Sequence, residues 1–161
     1  MHGDMGDLAS LVADLQRCLG MPGSRAEHAR AAAELVQRHG RFRWVGLYDV
    51  TSTEIRAIGW SGPAAPAFPS FPRAQGLNGA AVTAGAPVVA NDVARDPRYL
   101  TTFATTGAEM IVPVQDDAGR VVGTVDVESD RVGAFGPAEQ ALVERCAAAL
   151  RPLWLAAALG R

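Results

Sequence analysis

Three carboxylates carry the strongest chemical signal in this sequence. Asp126 and Glu128 stand two positions apart in the run Arg120–Glu128. An extended strand therefore sends both side chains to one face, opposite Val121, Val125 and Val127. Glu109 belongs to the run Glu109–Gln115, which a hairpin lays alongside. Carboxylates are rarely buried without a partner, so three that converge suit a cationic ligand group such as an amine. Tyr48 and Trp60, near the ends of two aromatic and β-branched runs, offer an apolar wall with polar tips. Phe42, Trp44, Gly46 and Tyr48 share one face of the first of these runs, and Trp44 reads as core. Asn78 precedes Gly79 at the start of a short helix, where its side chain can cap the helix or help receive an anion. Asp92 and Arg98 flank the next turn, and Arg98 can pair with a ligand acid, with Asp92 or with Asp96. The candidate ligand-binding set is thus Tyr48, Trp60, Asn78, Asp92, Glu109, Asp126 and Glu128.

Other chemistries find no support. All 15 basic residues are arginine, so no lysine is available for a Schiff base or a Walker-type phosphate loop. The arginines are scattered and the net charge is −2, which argues against nucleic-acid and membrane partners. Cys18 and Cys146 fall on the apolar stripes of helices and form no CxxC pair. His2, His28 and His39 are isolated. No catalytic triad, metal-ligand spacing or cofactor motif stands out, so no metal and no cofactor are expected. The N-terminal stretch lacks an apolar core and no 18-residue apolar run occurs, so a cytoplasmic protein is expected.

The elements that must position these residues follow from periodicity. Leu8, Leu11, Val12, Leu15 and Leu19 predict a helix over Asp7–Leu19. Ser24 and Glu27 form a capping box for a second helix that runs to about Arg38 and ends at Gly40. Phe42–Val50 and Glu54–Trp60 predict a hairpin. Ser61–Gln75, with four prolines, reads as a loop over the sheet or a pocket. A short helix over Ala80–Thr83 ends at Gly85, and Pro87–Val93 reads as a strand. Asp96-Pro97 predicts one or two helical turns over Arg98–Phe103. Glu109–Gln115 and Arg120–Glu128 form a hairpin through Asp116–Gly119. Pro137 opens the last helix, which Pro152 interrupts. The result is an α+β fold: one antiparallel sheet of five or six strands, terminal helices on one face, and loops with short helices covering a pocket on the other.

These runs, in this order, resemble a GAF domain. The stretches that carry the resemblance include Trp44–Tyr48, Gly76–Ala81, Val88–Val93, Asp96–Tyr99, Glu109–Val114, Gly123–Ser129 and Phe135–Glu139. Within that family the sequence is most similar to the stand-alone free methionine-(R)-sulfoxide reductases. The resemblance implies substrate binding by acidic positions such as Glu109, Asp126 and Glu128. It also implies a nucleophilic cysteine in a Gly-x-Cys-Gly turn and a second cysteine in a later loop. Here Asn78 stands at the first of these positions, and Leu100–Phe103 occupies the loop of the second. Without a thiolate, attack on sulfur has no nucleophile. The leading expectation is a single, non-catalytic GAF domain over residues 1–161 that binds a small molecule as a sensor. The alternatives are a methionine sulfoxide reductase and a pocketless interaction module. The apolar tail Leu153–Leu159 adds the expectation of a homodimer through the terminal helices.

Overall fold

The computed structural model describes residues 3–159, with side-chain surroundings described for residues 6–155. The chain begins with α1 (Gly3–Gly20) and α2 (Arg25–Gly40). The hydroxyl of Ser24 accepts the Glu27 N–H at 3.1 Å, and the Glu27 carboxylate accepts the Ser24 N–H at 2.8 Å. This is the capping box expected from the sequence. Helix α2 includes Gly40, and the left-handed residue that ends it is Arg41, with φ 54°. Replacing Ser24 by alanine is expected to lower stability by about 1 kcal/mol, measured by urea unfolding.

The sheet follows as β1 (Trp44–Val50), β2 (Glu54–Ser61) and β3 (Ser70–Pro72), then α3 (Gly76–Ala84), β4 (Val88–Ala90), β5 (Ala108–Gln115) and β6 (Val121–Ser129). Helices α4 (Pro137–Leu150) and α5 (Pro152–Leu159) close the chain. Six strands form one sheet in the order β3-β2-β1-β6-β5-β4, every neighbouring pair antiparallel. The α+β architecture is the one the periodicity predicts.

The helical face holds the main core. Leu11, Leu15, Ala32, Val36, Val45, Leu47, Val125, Val127 and Leu150 are sealed there. Helix α2 lies on β1 and β2, α4 on β5, and α1 across α2 and α4. The small face of α2 permits unusually close contact: a Cβ on Gly59 would stand 2.7 Å from the Cβ of Ala29. The opposite face carries Trp44, Tyr48, Ile55 and Phe71, with α3 laid over Ile111 through Leu77 and Ala81.

Four local expectations are corrected. The proline-rich loop contains β3, because Ser70 and Phe71 pair with Arg56 and Ile55 at the sheet edge, where proline is tolerated. The strand read over Pro87–Val93 is confined to Val88–Ala90, and a 3₁₀ turn takes Val93–Arg95. No helix forms over Arg98–Phe103. Instead the Asp96 carboxylate accepts both the backbone N–H and the guanidinium of Arg98, which fixes a single turn. Phe42 precedes β1 and packs on the helical face against Phe135, with ring centroids 5.9 Å apart.

Two bulges explain the remaining differences of facing. Leu47 pairs with Gly59 but Tyr48 with Ala57, so Ile58 is an extra residue in β2. Val114 pairs with Gly123 but Gln115 with Val121, so Val122 is extra in β6. The second bulge turns Val121 onto the Tyr48 side, away from Val125 and Val127.

Candidate functional site

The site is assembled by strand register. Glu109 on β5 and Glu128 on β6 are directly opposite each other. Asp126 is two residues back along β6 on the same face, opposite Gly46 of β1. One oxygen from each of the three carboxylates lies within 4.8 Å of the others. The residues are 4%, 2% and 0% exposed for Glu109, Asp126 and Glu128. Like charges placed opposite one another on adjacent strands destabilise a sheet. None of the three is in an ion pair among the described residues.

Asn78 closes the cluster from α3. It is the third residue of that helix, whose N-cap is Gln75, so it is not the cap. Its amide nitrogen donates to Asp126 Oδ2 at 2.9 Å, and its amide oxygen accepts the Thr124 hydroxyl at 2.6 Å. Thr124, Asp126 and Glu128 share one face of β6, a spacing that makes Thr124 legible in retrospect. The Tyr99 hydroxyl donates to Glu128 Oε1 at 3.3 Å. Asp126 Oδ1 and Glu128 Oε2 are sealed from solvent, and neither has a hydrogen-bond partner outside the trio.

The electrostatics follow from that burial. Burial first, then the charges of Asp126 and Glu128, push Glu109 well above the usual carboxylate range. Burial raises Asp126 to about 6, against the pull of its hydrogen bonds from Glu109 and Asn78. Burial and then the Asp126 charge raise Glu128 to about 8. At neutral pH Asp126 is therefore the principal anion of the trio. Tyr48 is pushed well above its ordinary value, by burial first and then by the three carboxylates.

A cavity of about 10 Å³ lies against Tyr48, Asn78, Glu109 and Asp126. Phe68 and Phe71 close it from the proline-rich segment, and Leu100 and Thr102 from the segment before β5. The proline-rich stretch read as a loop over the sheet or a pocket thus reaches this cavity, together with the segment before β5. Roomier grooves lie elsewhere. One of about 700 Å³ runs between α2 and β2 and is lined by Trp60, and one of about 590 Å³ runs along α3 beside Arg98. Neither collects converging polar groups as the carboxylate cavity does, so chemistry and not volume locates the site.

The structure thus brings together Tyr48, Asn78, Glu109, Asp126 and Glu128 and leaves two candidates outside. Trp60 shares the sheet face of Tyr48 and packs at the edge of its apolar cluster, but it does not line the carboxylate cavity. Asp92 is half-buried before the 3₁₀ turn and pairs with Arg95 at 3.3 Å. Arg98 is held by Asp96. Sequence reasoning missed Phe68, Phe71, Leu100 and Thr102 as cavity walls, because their segments have no period to read.

A family model of the GAF domain matches residues 24–151. The chain belongs to the GAF domain family. No curated protein matches the sequence. Among solved structures, this GAF domain is similar to the free methionine-R-sulfoxide reductase of Neisseria meningitidis in complex with its substrate. The TM-score is 0.84 and the identity 22%, covering 96% of this chain and 92% of that one. The type II free methionine-R-sulfoxide reductase of Thermoplasma acidophilum matches with TM-score 0.74 and 27% identity over 81% of this chain and 94% of its own. The GAF domain of an Acinetobacter phosphoenolpyruvate-protein phosphotransferase matches with TM-score 0.82 and 15% identity, covering 96% and 94%. The fold is therefore shared by free methionine-R-sulfoxide reductases and by a GAF domain of a phosphotransferase. In this GAF domain Cys146 is fully buried on the helical face of the sheet, and Cys18 packs beside the same core from α1. Burial pushes the Cys146 thiol up to about 12. No helix among the described residues is long and apolar enough to cross a membrane.

Proposed function

We propose that this GAF domain binds a small molecule bearing a cationic amino group and performs no thiol chemistry on it. The observation that carries the reading is the trio Glu109, Asp126 and Glu128. Three buried carboxylates with two oxygens unpartnered outside the trio and no arginine among them are poised for a cation. Tyr48 and Asn78 flank the place an amine would take, and the aromatic and aliphatic walls suit an apolar substituent. The likeness to a reductase solved with its substrate supports an amino-acid-like ligand. Asn78 stands where the resemblance implies the nucleophile, and an amide cannot attack sulfur. Both thiols lie on helices across the sheet.

Entry requires the Phe68 and Leu100 segments to move, since the closed cavity holds no more than a water-sized group. Such a movement is the sensor's signal. Pairing of two copies through the terminal helices would relay it, although Leu153 and Trp154 are buried within their own chain and unavailable to a partner. The side chains beyond Leu155 lie outside the described residues.

The test is calorimetry with free methionine-(R)-sulfoxide and with L-methionine, beside a coupled turnover assay containing a dithiol. Binding that Asp126→Asn and Glu109→Gln abolish, without turnover, is the expected result. Turnover lost in a Cys18→Ser, Cys146→Ser double variant overturns the non-catalytic reading. Binding that is unchanged in both carboxylate variants overturns the site.

A further inference from the structure

We propose that Glu109, Asp126 and Glu128 also bind a hard divalent cation of calcium's size. This goes beyond the amine-binding reading, with which it shares only the carboxylates; amine and metal ion are alternative occupants. No metal-ligand spacing is visible in the sequence, because the ligands come from two strands and converge only through the β5–β6 register.

Geometry supplies the first argument. Ca²⁺ holds its oxygen ligands at about 2.3–2.6 Å, so ligands on opposite sides of the ion stand about 5 Å apart. The three carboxylates already offer oxygens within 4.8 Å of one another. Mg²⁺, which keeps a shell of several waters, fits the closed cavity less well.

The division of labour between oxygens is the second, independent argument. Asp126 gives Oδ2 to the Asn78 amide, and no group outside the trio donates to its Oδ1. Glu128 gives Oε1 to the Tyr99 hydroxyl and keeps Oε2 free. Both side chains are thus oriented by the protein through one oxygen while the other is buried with no partner outside the trio. That is the arrangement of a metal-ligating carboxylate whose outer partners fix its orientation. Buried acceptors are otherwise almost always satisfied.

Size is the third. The cavity beside Asp126 and Glu109 has about 10 Å³, room for one guest of water's size. An ion fits it with the loops closed. An all-oxygen, all-carboxylate donor set selects hard cations over zinc or copper.

Terbium(III) luminescence tests the proposal on the full chain, freed of metal with EDTA and then desalted. Tb³⁺ replaces Ca²⁺ and is sensitised by nearby aromatic rings, here Tyr48 and Trp44. A saturable signal from one ion per chain, displaced by Ca²⁺, is expected. Glu109→Gln and Asp126→Asn should each weaken it by about tenfold or more, while Asp117→Asn on the exposed β5–β6 turn leaves it unchanged. Circular dichroism confirms that the variants fold, and Glu128→Gln replaces any that does not. No saturable signal up to about 1 mM, the weakest range of natural calcium sites, overturns the proposal. So does a signal that Ca²⁺ fails to displace or that all three carboxamide variants retain. L-Methionine calorimetry in EDTA reads the amine site separately, so failure of the metal proposal leaves a distinct result from failure of that reading.

Discussion

Replacing Trp154 by alanine is expected to lower the unfolding free energy by about 3–5 kcal/mol, the range for removing a buried aromatic ring. For a chain of this size that is a fall of about 10 °C in Tm. Trp154 is 2% exposed although it lies near the end of the chain. Its indole N–H donates to the Tyr48 carbonyl at 3.0 Å. The ring lies over Gly123, where a Cβ would stand 2.0 Å from the indole nitrogen. Arg25 adds a second tie, donating to the Leu153 carbonyl at 2.9 Å while its guanidinium grips both oxygens of Asp49. Helix α5 is thus pinned to the strand that carries Tyr48. Trp154→Phe should keep most of the apolar contact and lose about 1 kcal/mol with the hydrogen bond. Gly123→Ala should act from the other side, as overpacking against a rigid ring, at a cost of about 1–3 kcal/mol or more. Denaturant unfolding of the three variants checks the order. A Trp154→Ala change of less than about 1 kcal/mol means the indole is not the anchor.

Much of this fold is legible because each element keeps its own period. The Ser24–Glu27 box, the switch to strand pattern near Trp44 and the interruption at Pro152 all stand where local chemistry puts them. Alternation places Asp126 and Glu128 on one face, and the observed strand keeps them there. What escapes the sequence is set by distant partners. Strand β3 exists because an edge accepts Ser70–Pro72, and four nearby prolines hide it. The bulges at Ile58 and Val122 invert the facing of residues beyond them, which sends Val121 to the cavity side. Asn78 reads locally as a cap, but its amide is taken by Asp126 and Thr124 on β6. The apolar tail suggests an intermolecular surface, yet its largest ring is consumed within the chain. Local pattern reports which residues are apolar; which surface receives them is a tertiary fact.

The carboxylate cluster is expected to make the protein progressively less stable as pH rises from about 4 to about 8. Glu109, Asp126 and Glu128 are all raised in the folded state, chiefly by burial, Asp126 to about 6 and Glu128 to about 8. In the unfolded chain they titrate near their ordinary values of 4.5, 3.8 and 4.5. Between the unfolded and folded values the native state holds more protons than the unfolded one. The linkage slope is therefore negative: stability is fully present below the unfolded values and is lost as pH rises through the folded ones. Each proton so retained contributes a slope of about 1.4 kcal/mol per pH unit. The upper part of the window, from about 6 to about 8, belongs to Glu128 together with Glu109, which is raised well above its ordinary value. Glu128→Gln removes the first of these ionisations while keeping nearly the same shape. It should match the wild type near pH 4.5, exceed it at pH 8, and flatten the profile between. Urea midpoints measured every half unit in EDTA give the comparison. A wild-type profile level from pH 5 to pH 8, or a Glu128→Gln variant less stable than wild type at pH 8, rules out the strained cluster. A gain in stability on removing one carboxylate would identify the trio as groups kept for binding at the expense of the fold, the usual trade at a functional site.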